Sequence, residues 1–311
     1  MNHKNITQVS EFFLHGFGVQ PEVQRLLFPL FLSMYLFTLL GNGTIILLVH
    51  SDMQLFHTPM YFFLSHLALA DLGLATAVVP KALQNLWSQK KTISYHGCLA
   101  QLYFYIIFGN TDSCLLAFMA YDRYVAICCP LKYSTIMSNK RCFQLVTLSW
   151  AISFFHSLIY TMLMSRVDFC DPGEIPHFLC DIYPVLDVSC SDTTVIDLLM
   201  MTEGVVEVLG QFVLVMMSYV FIFYAIIKMP SATRKRKAFS TCISHICVVV
   251  LFYATVSFVY FKPNSKLPER KDMVAAMMYT MVTPLLNPFI YTLRNNEIKA
   301  AMKRVFRKHF Y

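Results

Sequence analysis

Apolar residues in this chain gather in long, nearly uncharged runs that stop at clusters of charge, proline or glycine. Seven such runs follow one another: Leu26–Val49, Pro59–Val79, Cys98–Ile127, Cys142–Met164, Val195–Ile227, Phe239–Phe261 and Met273–Leu293. Each is long enough to cross a hydrocarbon core, which takes roughly 20 helical residues. The third and fifth exceed that length and are expected to tilt or project beyond it. Most connections are short and hold the turn and charge signals, at Ser51–Thr58, Trp87–Gly97, Ser138–Arg141, Lys228–Lys237 and Lys262–Lys271. One is long, Arg166 to Thr194, and it is rich in cysteine, proline and aspartate. After the seventh run, Glu297, Lys299, Lys303, Arg304 and Lys308 interleave with Ile298, Met302, Val305 and Phe306 at helical spacing, the pattern of an amphipathic helix lying on a membrane surface.

The pattern predicts an all-α membrane protein, a seven-transmembrane helix bundle with a short amphipathic C-terminal helix. It divides the chain into an N-terminal tail (1–25), the seven-transmembrane domain (26–293) and a C-terminal tail with the amphipathic helix (294–311). The first 25 residues lack the basic, apolar and small-residue order of a cleavable signal, so the first span is expected to serve as the targeting signal. No internal repeat or low-complexity tract interrupts the order.

Composition narrows this to one membrane domain rather than two soluble ones. Of 311 residues, 57% are hydrophobic and 14% charged, where soluble domains carry about 25% charged residues. The mean hydropathy is +0.54. Charge then sets the orientation. With the N-terminus outside, inside regions collect fifteen of the 25 Lys and Arg against three acids, Asp52, Asp122 and Glu297. Outside regions hold the other ten against eleven acids, so the positive-inside rule favours an extracellular N-terminus. A glycosylation sequon at Asn5-Ile6-Thr7 agrees with that side. The net charge of +7 is no sign of nucleic-acid binding, because no basic patch accompanies a soluble reading fold. Four of ten cysteines, Cys98, Cys170, Cys180 and Cys190, sit in or beside outside loops, where disulfides persist; spacing leaves three pairings open. Cys114, Cys128, Cys129, Cys142, Cys242 and Cys247 read as free thiols.

Polar groups inside the spans carry the chemistry. Asn42, Asp71, Asp112 and Asn287 would each be costly facing lipid, so they are expected to point inward and bond to one another. The network either fixes helix register or forms a switch, with a cation or proton at Asp71 and Asp112. Pro288 removes a backbone bond from the seventh span, and Asn287 is expected to answer the freed carbonyl. Asp122-Arg123-Tyr124 ends the third span, an acid beside an arginine where the helix reaches the cytoplasm.

These blocks resemble, in order and over essentially the whole chain, the vertebrate odorant receptors within the rhodopsin-like G-protein-coupled receptors. They are Gly41-Asn42, Pro59 to Asp71, Met119 to Cys128, Ser218-Tyr219, Lys237 to His245, Pro284 to Tyr291 and Leu293-Arg-Asn295. The short third outside loop looks like the tetrapod-type, class II branch. The resemblance implies disulfides Cys98–Cys180 and Cys170–Cys190. It implies that Arg123 is held by Asp122 at rest and freed to meet a G protein. Tyr124, Tyr219, His245, Asn287, Pro288 and Tyr291 serve as switch partners in that reading, with Tyr219 reaching Tyr291 across the bundle.

The implied activity is odorant detection, with cyclic AMP raised through a stimulatory, olfactory-type heterotrimeric G protein at the cilia of olfactory neurons. The implied partners are a small volatile odorant, that G protein and membrane lipid, with no cofactor and no enzyme activity. Turn counting from Arg123 puts Tyr105, Ile106, Gly109 and Asn110 in the outer half of the third span. Resemblance adds Glu203, Gly204 and Glu207 of the fifth, Tyr253, Val256, Ser257 and Tyr260 of the sixth, and Met277 and Thr280 of the seventh. Glu203 and Glu207 share a helix face, with two readings open: bonds to the third or fourth span, or a ligand carrying a donor or positive charge at Glu207. His177-Phe-Leu-Cys-Asp181 resembles a metal-sensing pattern, but a disulfide at Cys180 removes its thiolate, so no metal is expected. A transporter would show repeated halves, which are absent from the sequence. For an intramembrane enzyme, Asp71 and Asp112 are the one conceivable catalytic pair, and their surroundings fit a receptor network better.

Overall fold

A computed structural model describes residues 9–17, 20–88, 90–169, 173–260, 270–293 and 296–309. The sequon Asn5 and Cys170 lie outside the described residues, as does the side chain of Tyr260.

Among the described residues, seven helices are long and apolar enough to cross a membrane, as the pattern predicts. They are α1 (Pro21–Ser51), α2 (Pro59–Trp87), α3 (Tyr95–Cys128), α4 (Asn139–Met164), α5 (Thr194–Lys228), α6 (Ala232–Tyr260) and α7 (Arg270–Met277 continuing to Leu293). An eighth, α8 (Asn296–His309), follows. Helix is the answer a lipid core demands, because only it satisfies every backbone group within one segment. Their starts follow ordinary rules: Pro21 and Pro59 stand in the first turn, where a missing N–H costs nothing. Ser94 caps α3 by accepting from the Gly97 N–H at 3.1 Å.

α3 runs through the middle of the bundle, packed against α2, α4 and α5, with 67% of its apolar window buried against 11% for α5. Two helices carry a π-helical turn, Val205–Leu209 within α5 and Met278–Val282 within α7.

The N-terminal tail contains an element that the apolar pattern did not predict. Residues Glu11–Leu14 form β1, the centre of a three-stranded sheet. It pairs antiparallel with β2 (Thr92–Ser94), Phe12 opposite Ile93, and parallel with β3 (Glu174–Ile175), Leu14 opposite Ile175. Phe12 and Leu14 point into the core and are 1% and 0% exposed, the period-2 alternation of a half-buried strand. Beside this sheet, Cys98 and Cys180 form the disulfide implied by the resemblance, tying the start of α3 to the long loop. Cys190 is also disulfide-bonded.

Candidate functional site

At the disulfide end the helices part around a cavity of about 860 Å³, counted to its open mouth. Tyr105, Ile106, Gly109 and Asn110 of α3 all line it. Gly204 and Glu207 of α5 and Val256 of α6 line it too. Of the remaining expected residues, those whose side chains are described sit elsewhere. Glu203 faces α4, bonded to it as the first of the two readings supposed. Tyr253 lies one layer below the cavity, its hydroxyl 3.3 Å from Ser113 Oγ and 3.5 Å from Gln211 Oε1. Ser257 and Met277 are half-buried off the wall.

Thr280 is turned into its own helix, donating to the Ala276 carbonyl at 2.8 Å, and Tyr279 takes the wall position. The cause is the π turn at Met278–Val282, which takes up an extra residue and shifts the phase of everything around it. Gly109 makes room for that tyrosine: a Cβ there would overlap the Tyr279 hydroxyl. Tyr279 is held by edge contacts, its ring centroid 5.9 Å from Tyr105 and 5.5 Å from Phe252.

α4 contributes His156 and Tyr160, which sequence reasoning missed, and the loop after Cys180 closes the top with Ile182 and Tyr183. One signal for α4 was present, since an imidazole inside an apolar span is itself a functional flag. His156 organises a charged corner. Its Nδ1 meets Asn110 Nδ2 at 2.6 Å, and its Nε2 lies 3.2 Å from Glu203 Oε2 and 3.6 Å from Glu207 Oε2. Tyr160 donates to Glu203 Oε2 at 2.8 Å. Among the described residues, no group of His, Cys, Asp and Glu is arranged to hold a metal ion.

The opposite end of α3 carries the ion pair. Arg123 donates to Asp122 Oδ2 from Nε at 3.0 Å and from Nη2 at 2.5 Å. Tyr133 donates to Asp122 Oδ1 at 2.7 Å, and burial followed by that carboxylate pushes the Tyr133 phenol above its ordinary pKa, so it stays a donor. Asp122 is fully buried, and its charge is therefore matched by three donated bonds. Tyr124 packs its ring against Phe221 of α5. Tyr219 bonds His245 Nδ1 of α6 at 2.5 Å, and among the described residues the Tyr291 hydroxyl has no hydrogen-bond partner. The expected Tyr219–Tyr291 bridge is thus replaced by an α5–α6 bond.

Between the two ends lies the polar network, in part as expected. Asn287 donates to Asp71 Oδ2 at 2.8 Å and is not the group that answers the carbonyl freed by Pro288. That carbonyl belongs to Pro284, four residues earlier, and Asn42 supplies the bond at 2.9 Å. Gly41 lets α1 come that close, since a Cβ there would sit 3.0 Å from the Pro288 ring. Asp112 is buried nearby, close enough to feel the Asp71 charge, and among the described residues its Oδ1 has no hydrogen-bond partner.

Seven spans around a polar interior, a cavity at one end and a held arginine at the other define a receptor of the G-protein-coupled class. Comparison with known proteins narrows the class. The family model for olfactory receptors matches residues 31–309. Olfactory receptor 1E16 of Mus musculus is 50% identical over 308 residues, covering 99% of this chain and 98% of its own. Olfactory receptor 1L3 of Homo sapiens is 49% identical over 308 residues, 99% of this chain and 94% of its own. Olfactory receptor 1G1 of Gorilla gorilla gorilla is 52% identical over 305 residues, 98% and 97% respectively. The chain belongs to the olfactory receptor family: it is a multi-pass membrane receptor for odorants that signals through G proteins, and it is not an enzyme.

Proposed function

We propose that the cavity at the disulfide end binds a small volatile organic odorant and that binding releases Arg123 to engage a stimulatory, olfactory-type G protein, raising cyclic AMP. The observation that carries this is that α3 alone joins both features. Gly109 at the cavity and Arg123 at the ion pair are fourteen residues apart, about 21 Å along one helix. A cavity walled by tyrosines, methionines and a few polar groups suits compact organics with one oxygen or nitrogen. In this reading the N-terminus faces outward, the receptor sits in the plasma membrane of olfactory cilia, and residues 294–311 form a cytoplasmic tail.

α8 then lies on the inner leaflet. Its exposed Lys299 and Lys303 meet anionic lipid, while Ile298 and Ala301 are buried against the bundle. The test is cyclic-AMP output in cells carrying the olfactory-type G protein, across a broad odorant panel. We expect agonist responses that vanish in Arg123→Ala at unchanged surface level. A response that persists in cells lacking the G protein would overturn the reading.

A further inference from the structure

We infer that the preferred odorants of this receptor are amines, taken as ammonium ions against Glu207; this rests on the cavity being the odorant site. The argument begins with what each group in the charged corner has already spent. Asn110 presents its amide nitrogen to His156 Nδ1, which makes Nδ1 the acceptor and leaves the ring proton on Nε2. That single N–H is shared between two carboxylates, 3.2 Å from Glu203 and 3.6 Å from Glu207. The nearer one takes it, and Glu203 receives a second bond from the Tyr160 hydroxyl.

Glu207 is left short. At 3.6 Å its Oε2 has an electrostatic contact with the imidazole rather than a hydrogen bond, and its Oε1 is sealed from solvent with no partner among the described residues. Of the two acids, Glu207 is the one on the cavity wall. Among the described residues, no lysine or arginine lines the cavity, so the corner holds more acid than base. A carboxylate oxygen sealed from water without a donor is costly, and a ligand that brings two or three N–H groups and a positive charge removes that cost. The rest of the wall supports the same guest. Tyr105, Tyr183, Tyr279 and Phe252 offer ring faces to a cation, and Met200 and Met201 offer apolar surface to its hydrocarbon part. A carbonyl or ether of the same skeleton would add an acceptor to a corner that already has too many.

The experiment is a cyclic-AMP dose–response with matched probes on several skeletons, for example cyclohexylamine, cyclohexanol and cyclohexanone, then the linear and phenyl counterparts. On at least one skeleton the amine is expected to be the most potent of its set. Glu207→Gln is expected to weaken amine agonists by about tenfold or more while leaving the ketones unchanged. Glu207→Asp, which keeps the charge, is expected to retain the amine preference, and surface staining of each variant separates binding from folding. Failure of every amine to activate, or an equal loss for all three chemistries in Glu207→Gln, overturns the inference. If amines fail yet filling the cavity by Gly109→Val still abolishes the response to other odorants, this inference falls and the cavity reading stands. If filling the cavity changes no response, the cavity reading itself falls.

Discussion

Single positions in this receptor are constrained by what must pass through them. Gly109 has no side chain because Tyr279 occupies the space one would take. Tyr279 is 5% exposed and clamped between Tyr105 and Phe252, so it has little room to retreat. Overpacking of such a site costs about 1–3 kcal/mol. Gly109→Ala is therefore expected to raise the half-maximal agonist concentration by about tenfold, with surface level little changed; an unchanged dose–response would show that the tyrosine does not bound the ligand. Asn42 holds the carbonyl that Pro288 sets free, and both groups are buried. Asn42→Ala leaves that oxygen unpaired and should cost about 1–3 kcal/mol, read as a lower thermal midpoint in detergent. Asp122→Asn weakens the hold on Arg123, and basal cyclic AMP should rise without odorant; a silent or unaltered basal level would mean that the pair is only structural.

Among the elements, β1 does more than its four residues suggest. It is the one strand bonded to both neighbours in its sheet, and it joins the loop before α3 to the long loop that roofs the cavity. Phe12→Ala should cost about 3–5 kcal/mol and depress surface level sharply, while the neighbouring half-buried Phe13→Ala should cost much less. Equal effects would mean that the strand's inward face is not what matters. At the other end, α8 is latched by Arg304 to Asp52 at 2.9 and 2.6 Å and by the Tyr61 hydroxyl to Glu297 at 2.8 Å. Burial alone would raise the Asp52 carboxyl, but Arg304 and two backbone N–H groups outweigh it and hold it below its usual 3.8. With the folded value depressed, the latch contributes fully above pH 3.8 and is lost as pH falls through the lower value. Protection of the α8 amides, exchange rates being corrected for their intrinsic pH dependence, should be flat from neutral pH to about pH 4, and Arg304→Ala should lower it throughout. The elements also show what the sequence made legible. Seven spans and their order were readable because length and sparse charge suffice for them, whereas the Cys98–Cys180 tie came from the family resemblance, since spacing left three pairings open. The facing of each helix was not, because lipid and bundle are equally apolar and a span has no polar side to phase it. The polar residues supplied the phase where they occurred, at Asn42, Asp71 and Asn110. The π turns at Val205–Leu209 and Met278–Val282 carry no sequence mark, and around the second it is Tyr279, not the Thr280 implied by the resemblance, that reaches the wall.

At the scale of the molecule, the cavity and the ion pair must exchange free energy, and an odorant can shift the switch only by binding its two states unequally. α7 offers a second route beside α3. It presents Tyr279 to the cavity and Asn287 to Asp71 eight residues on, about 12 Å away, with Pro284 and the rest of a wide turn between them. Recognition and switching are thus held by different residues of one helix, and a variant can disturb one without the other. Asn287→Ala removes the bond to Asp71 but touches nothing on the cavity wall. It is expected to change the maximal cyclic-AMP response while leaving the order of potencies across an odorant panel as it was. Tyr279→Phe removes a hydroxyl at the wall and leaves the Asp71 bond alone, so it is expected to reorder potencies with a smaller effect on the maximum. Full dose–response curves for both variants, on at least three agonists of different chemistry, separate these outcomes. If Asn287→Ala reorders the panel, the polar network reaches the ligand directly, and the two ends of the bundle are not distinct devices joined by rigid helices.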